Sequence, residues 1–241
     1  MAVAVSYRDY GFVGFTKAVV VDVETTGLDP TVDRIVAVAA IKVDFAEMAR
    51  TGHANAETFS ALLNPGCPIP AEASAIHGIE DHHVKDAERF CEIAQQLRDF
   101  IGDLPIVGHN IQFDKQFLNA EFRRCKVKGL GRTKSYCTQQ RTKEHLGYIG
   151  KGFRRVSLIE AAQLFEVPGR RGKHHDAMED AQICLQVAAG YYLVDNGLKH
   201  PRLQARARDR TRARPEHTWS LWWAFAILVA AVLLLILAKL A

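Results

Sequence analysis

Three segments far apart in the chain together place four carboxylates, Asp22, Glu24, Asp114 and Asp180, and one histidine, His175, in a recognisable order. They are Val20-Val21-Asp22-Val23-Glu24-Thr25-Thr26-Gly27, Gly108-His109-Asn110-Ile111-Gln112-Phe113-Asp114 and His175-Asp176-Ala177-Met178-Glu179-Asp180. Asp22 and Glu24 stand two apart in a β-branched run, so on a strand both side chains leave one face. Like charges held this close repel unless a cation neutralises them. Hard carboxylate oxygens favour Mg²⁺ or Mn²⁺ over zinc, and a pair of such ions is the usual apparatus for cutting phosphodiesters. Asp114 is expected to begin a helix after a Gly-His-Asn turn, and Asp180 falls in the first turn of a later helix. His175, five residues before Asp180, sits in a loop where it can swing toward a water. Histidine titrates near neutrality, which suits a general base. Thr25-Thr26-Gly27 turns the chain sharply and exposes backbone amides to a ligand. His109 and Asn110 organise their turn, His174 reads as a surface residue, and Asp176 and Glu179 as solvated or capping acids.

Those residues need a scaffold. Lys17 to Glu24, Arg34 to Val43 and Glu57 to Leu63 read as strands, with a turn at Gly27-Leu28-Asp29-Pro30 between the first two. Apolar residues at helical spacing predict helices over Asp86 to Ile101, Asp114 to Cys125, Ser157 to Phe165 and Glu179 to Tyr192. Ser157 followed by Glu160 is a capping-box pattern. Ile106-Val107 is a short strand. Strands first and helices later predict an α/β fold with a mixed sheet.

The 241 residues suffice for one packed domain and a tail. Residues 1–122 hold 9 basic and 18 acidic side chains, whereas residues 123–198 hold 14 and 7. Between Arg123 and Arg155 eleven basic residues face only Glu144. Beside a carboxylate-metal site, such a basic wall suits a nucleic-acid backbone. Five cysteines, Cys67, Cys91, Cys125, Cys137 and Cys184, form no C-x-x-C pair. That argues against a disulfide framework or structural zinc and for a reducing compartment. No apolar core near the N-terminus has the length of a signal peptide.

The sequence divides into a lead-in (1–16), a main domain (17–198), a basic linker (199–218) and an apolar tail (219–240). Leu221 to Ala238 runs 18 residues without a charge, about 27 Å as a helix, with Trp219, Trp222 and Trp223 at its start. This predicts a single-pass tail anchor, with the basic flank keeping the domain cytoplasmic. The linker also reads as an anionic-lipid contact or a non-specific phosphate contact.

In this order, with these neighbours, the motifs resemble the DnaQ-like DEDDh exonucleases of the ribonuclease H-like superfamily. Asp22 and Glu24 match the first motif, Asp114 the second, His175 and Asp180 the third. Ala75-Ile76-His77-Gly78-Ile79 also looks like the family, especially proofreading subunits of bacterial replicative polymerases. The resemblance implies a mixed central sheet flanked by helices and a 3′→5′ exonuclease using two Mg²⁺ or Mn²⁺. Asp22, Glu24, Asp114 and Asp180 would hold the metals, and His175 would deprotonate the attacking water. Thr25, Leu28, Asn110 and Phe113 would contact the terminal nucleotide. The mammalian three-prime repair exonucleases also carry C-terminal anchors, but nothing between Lys126 and Arg155 resembles their proline-rich insert.

The leading expectation is a membrane-tethered exonuclease acting on the 3′ ends of single-stranded DNA. A 3′→5′ exoribonuclease is the alternative among enzymes, because recognition of the 2′-hydroxyl depends on pocket shape. A tethered nucleic-acid-binding module with incidental catalysis is the alternative outside them. A proofreading subunit would need a polymerase-binding segment.

Overall fold

The computed structural model describes residues 15–148 and 155–198. Five strands form one sheet: β1 (Lys17–Thr25), β2 (Ile35–Asp44), β3 (Glu57–Leu62), β4 (Ile106–Gly108) and β5 (Ser135–Cys137), in the order β3-β2-β1-β4-β5. β1 pairs antiparallel with β2, and β2 with β3; β4 runs parallel to β1, and β5 to β4. The sheet is therefore mixed, as the α/β reading expected.

β1 is central, and its apolar β-branched residues are buried on both faces. Val19, Val21 and Val23 pack with Leu97 and Ile101 of α4 (Phe90–Ile101) and Phe117 and Phe122 of α5 (Ile111–Arg124). The alternate residues Val20, Asp22 and Glu24 face the other way, where α8 (Ala177–Asp195) crosses β1 and β2. A register irregularity between Glu24 and Thr25 ends the regular pairing at the second carboxylate.

Several boundaries differ from expectation. α5 starts at Ile111 rather than Asp114. Asn110, in the left-handed region (φ 75°), turns the chain from β4 directly into the helix, so Asp114 lies inside the first turn and is not its cap. α4 begins at Phe90 rather than Asp86. α8 begins two residues early, at Ala177, because Asp176 caps it by accepting from Glu179 N at 2.8 Å. α7 (Leu158–Leu164) carries the expected capping box between Ser157 and Glu160. Shorter elements escaped the periodicity: α1 (Phe45–Thr51), α2 (Ala71–His77), α3 (Asp81–Val84), α6 (Thr138–His145) and β5.

One expectation is corrected. Cys91 and Cys125 form a disulfide that joins the start of α4 to the end of α5. The two cysteines are 34 residues apart, and only the packing of those helices brings them together. Cys67, Cys137 and Cys184 are free.

The predicted linker at 199–218 and tail anchor at 219–240 lie outside the described residues, as does most of the lead-in. Among the described residues no helix is long and apolar enough to cross a membrane.

Candidate active site

All nine residues singled out from the sequence line one cavity of about 480 Å³: Asp22, Glu24, Thr25, Leu28, Asn110, Phe113, Asp114, His175 and Asp180. β1 delivers Asp22 and Glu24 from one face. α5 delivers Asp114, whose Oδ1 accepts from the Val23 N–H at 3.1 Å and so locks the helix start to β1. α8 delivers Asp180 from its first turn. His175 comes from the preceding loop, and its backbone N–H donates to Ile76 O at 2.9 Å, which ties that loop to α2.

The electrostatics are severe. Glu24, Asp114 and Asp180 are only 7%, 4% and 3% exposed. Burial, then repulsion from Asp180, pushes the Glu24 carboxyl up to about 8, against the pull of Arg170. Burial pushes Asp114 to about 7, although two backbone N–H groups oppose the shift. Asp22 is driven upward by burial and by Asp114, Glu24 and Asp180. Carboxyls raised this way want either a proton or a cation.

The donor set fits a hard divalent ion. Ligand atoms of Glu24, His175 and Asp180 lie within 4.8 Å of one another. Glu24 Oε1 is buried without a hydrogen-bond partner, and a metal would satisfy it. Burial and the neighbouring Arg170 lower the His175 pKa, so its side chain, 42% exposed, stays neutral at pH 7.

The rim carries exposed apolar side chains. Leu28 is 83% exposed, and Ile76, at 53%, lines the same cavity. The Thr25 hydroxyl donates to Gly27 O at 2.6 Å, which commits it to the turn and leaves backbone groups to meet a ligand. Thr26 Oγ1 and Asp29 N both donate to Asp33, and Arg124 Nη2 donates to Pro30 O and Thr31 O, so the Leu28 loop is rigidly braced. His109 is structural, as expected: Nδ1 meets Thr138 Oγ1 at 3.0 Å and Nε2 meets Val156 O at 2.8 Å.

Two cationic residues went unrecognised in the sequence. Arg155 lines the cavity, and Arg170 bonds both oxygens of Asp180. Both lie in irregular segments of a generally basic region, where spacing carries no signal.

This fold and this acidic cavity define an exonuclease, and the chain belongs to the exonuclease family (RNase_T), whose profile matches residues 19–188. Among its relatives, the DNA polymerase III subunit epsilon of Treponema pallidum is 33% identical over 168 residues, covering 69% of this chain and 72% of that protein. The epsilon subunit of Rickettsia typhi is 32% identical over 175 residues, 71% of this chain and 72% of the relative. The fold also matches E. coli exonuclease I in complex with a dT13 oligonucleotide, with TM-score 0.60 and 19% identity. That match covers 80% of this chain but 43% of the other, so the chain spans less than half of that structure.

Proposed function

We propose that this protein is a metal-dependent 3′→5′ exonuclease that removes nucleoside 5′-monophosphates from single-stranded DNA. The observation that carries the reading is the convergence of Asp22, Glu24, Asp114, Asp180 and His175 on one cavity with an apolar rim. Asp22, Glu24, Asp114 and Asp180 would hold two Mg²⁺ or Mn²⁺. Bound there, the ions would supply positive charge to the attacking and leaving oxygens of a phosphodiester.

The chain's own residues supply the rest. His175, neutral at pH 7, accepts the proton of the attacking water. Leu28 and Ile76 lie against the terminal base, and the Thr25-Thr26-Gly27 backbone holds its sugar and phosphate. Asn110 and Phe113 line the same cavity, and Arg155 gives the strand a phosphate contact. The dT13 complex of the structural neighbour supports a single-stranded DNA substrate.

The apolar run Leu221 to Ala238 would tether the enzyme to a membrane, with Lys199 to Arg214 at the cytoplasmic surface. Flotation of the full chain with lipid vesicles, lost on deletion of that run, tests the tether.

The substrate is tested with the full chain in detergent, given DNA and RNA single strands of matched sequence and Mg²⁺ or Mn²⁺. DNA is expected to be degraded faster from its 3′ end. Faster degradation of RNA would assign the enzyme to RNA trimming. Binding without degradation of either would leave a tethered binding module.

A further inference from the structure

Arg170 lies in the loop between α7 and α8, and its side chain, 18% exposed, turns inward among the acidic residues. Its Nε donates to Asp180 Oδ1 at 2.5 Å and its Nη2 to Oδ2 at 2.6 Å, a bidentate fork that engages both carboxylate oxygens. The same Nη2 stands 3.3 Å from His175 Nδ1. His175 Nδ1 also lies 3.5 Å from Asp180 Oδ2, so guanidinium, imidazole and carboxylate meet at one point. The adjacent Arg171 differs: its side chain is 89% exposed, and it pairs with Glu179 rather than with Asp180. Of two consecutive arginines, one engages Asp180 and His175 and the other does not.

Arg170 therefore covers two of the three groups whose ligand atoms cluster within 4.8 Å, Asp180 and His175. It also opposes, as a positive charge, the mutual repulsion around Asp22 and Glu24. A divalent ion held by those groups would lie within a few ångströms of the guanidinium, where two cations repel strongly in a partly desolvated cavity.

We propose that Arg170 is a built-in counter-cation of this site: it holds Asp180 and His175 while no divalent ion is bound, and it yields them when one binds. The proposal rests on reading Asp22, Glu24, Asp114 and Asp180 as a cation site. In the resting state it keeps a cluster of buried acids folded, and it masks one nitrogen of the general base. Metal binding and unmasking of His175 become one event. Arg170 is thus a positioning residue, acting through Asp180 and His175.

The test is a Mn²⁺ titration of the full-length protein in detergent, following free Mn²⁺ by electron paramagnetic resonance. Wild type, R170Q and R170K are compared, with Tm measured with and without Mn²⁺. A charge-assisted bidentate contact that must be broken to admit the ion costs affinity, so R170Q is expected to bind Mn²⁺ on the order of tenfold more tightly. Its metal-free Tm should fall, and its Mn²⁺-induced rise in Tm should exceed that of wild type. R170K retains charge without the fork and should bind with intermediate affinity, which keeps the test usable should R170Q not fold. A merely structural arginine would lower Tm equally with and without Mn²⁺ and leave the affinity unchanged. Equal or weaker Mn²⁺ binding by the variants, with wild type binding normally, would overturn the counter-cation. Absence of Mn²⁺ binding by wild type would instead overturn the cation site on which it rests.

Discussion

Gly78 stands directly against the ring of His174: a Cβ built on Gly78 would lie 3.0 Å from His174 Cγ. Gly78 also caps α2 in the left-handed region (φ 72°), and His77 Nδ1 accepts from Ile79 N at 3.0 Å within the same turn. With the bond from His175 N to Ile76 O, the whole Ile76-His77-Gly78-Ile79 turn is a seat for the loop that carries His175. Gly78→Ala is strained by its backbone, by about 1–2 kcal/mol, and it pushes on His174. Displacement of a catalytic group by even a fraction of an ångström is costly, so kcat should fall on the order of tenfold with KM little changed. Unchanged kcat beside a lowered Tm would show that the turn serves stability alone.

His175→Ala should lower kcat by roughly 10²–10⁴, the usual contribution of a general base. Because burial lowers its pKa below the ordinary 6.5, the acid limb of the kcat/KM profile should lie below that value. The limb should vanish in His175→Ala. A limb that persists in the variant would assign it to another group.

The metal-free protein should lose stability as pH rises. Glu24 and Asp114 hold protons more tightly folded than unfolded, with folded values of about 8 and about 7 against ordinary values of 4.5 and 3.8. Between those limits the native state binds more protons than the unfolded chain, so the slope of stability against pH is negative. Their contribution is present in full below about pH 4 and is lost as pH rises through 7 and 8. Thermal melts in chelator should show a Tm that drops from pH 5.5 to pH 8.5, and Mn²⁺ should recover it at the higher pH. A flat profile in chelator would mean that these carboxyls are not held as the structure holds them.

Much of the site was readable in the sequence because its signals are local. A two-residue spacing on a β-branched run places Asp22 and Glu24 on one strand face without knowledge of anything else. Asp180 follows an Asp176 cap and a helical pattern, and Ser157 with Glu160 announces α7. What stayed hidden depends on approach through space. Arg170 acquires its meaning only when the loop before α8 turns it back onto Asp180, and Cys91 meets Cys125 only when α4 packs on α5. α6 and β5 lie in a run so basic that its charge obscured the elements. α6 is buried through Thr138, Arg141 and Thr142 rather than through apolar residues, so no hydrophobic period marks it.

Leu28→Ser should raise KM several-fold and leave Tm unchanged. The side chain is 83% exposed, so it contributes little to the core, yet it stands at the cavity rim on a braced loop. Steady-state kinetics on a short DNA strand beside a thermal melt check both halves. A lowered Tm would contradict a role confined to contact with the terminal base, as would an unaltered KM.

Cys91→Ser should destabilise the folded domain by about 3 kcal/mol, because the disulfide closes a 34-residue segment and restricts the unfolded chain. Denaturant melts of wild type with and without reductant, beside the variant, check this. The variant and the reduced wild type should coincide. A variant as stable as the oxidised wild type would show that the bond contributes nothing to folding.

The most direct test of the central claim follows release of label from a single-stranded DNA carrying either a 3′-terminal or a 5′-terminal label. Wild type and Asp22→Ala are compared, with Mn²⁺ and with chelator. A carboxylate site built on Asp22 predicts immediate release of the 3′ label as mononucleotide by wild type with Mn²⁺, and none in chelator or in Asp22→Ala. Release by Asp22→Ala at the wild-type rate, or release undiminished by chelator, would contradict it.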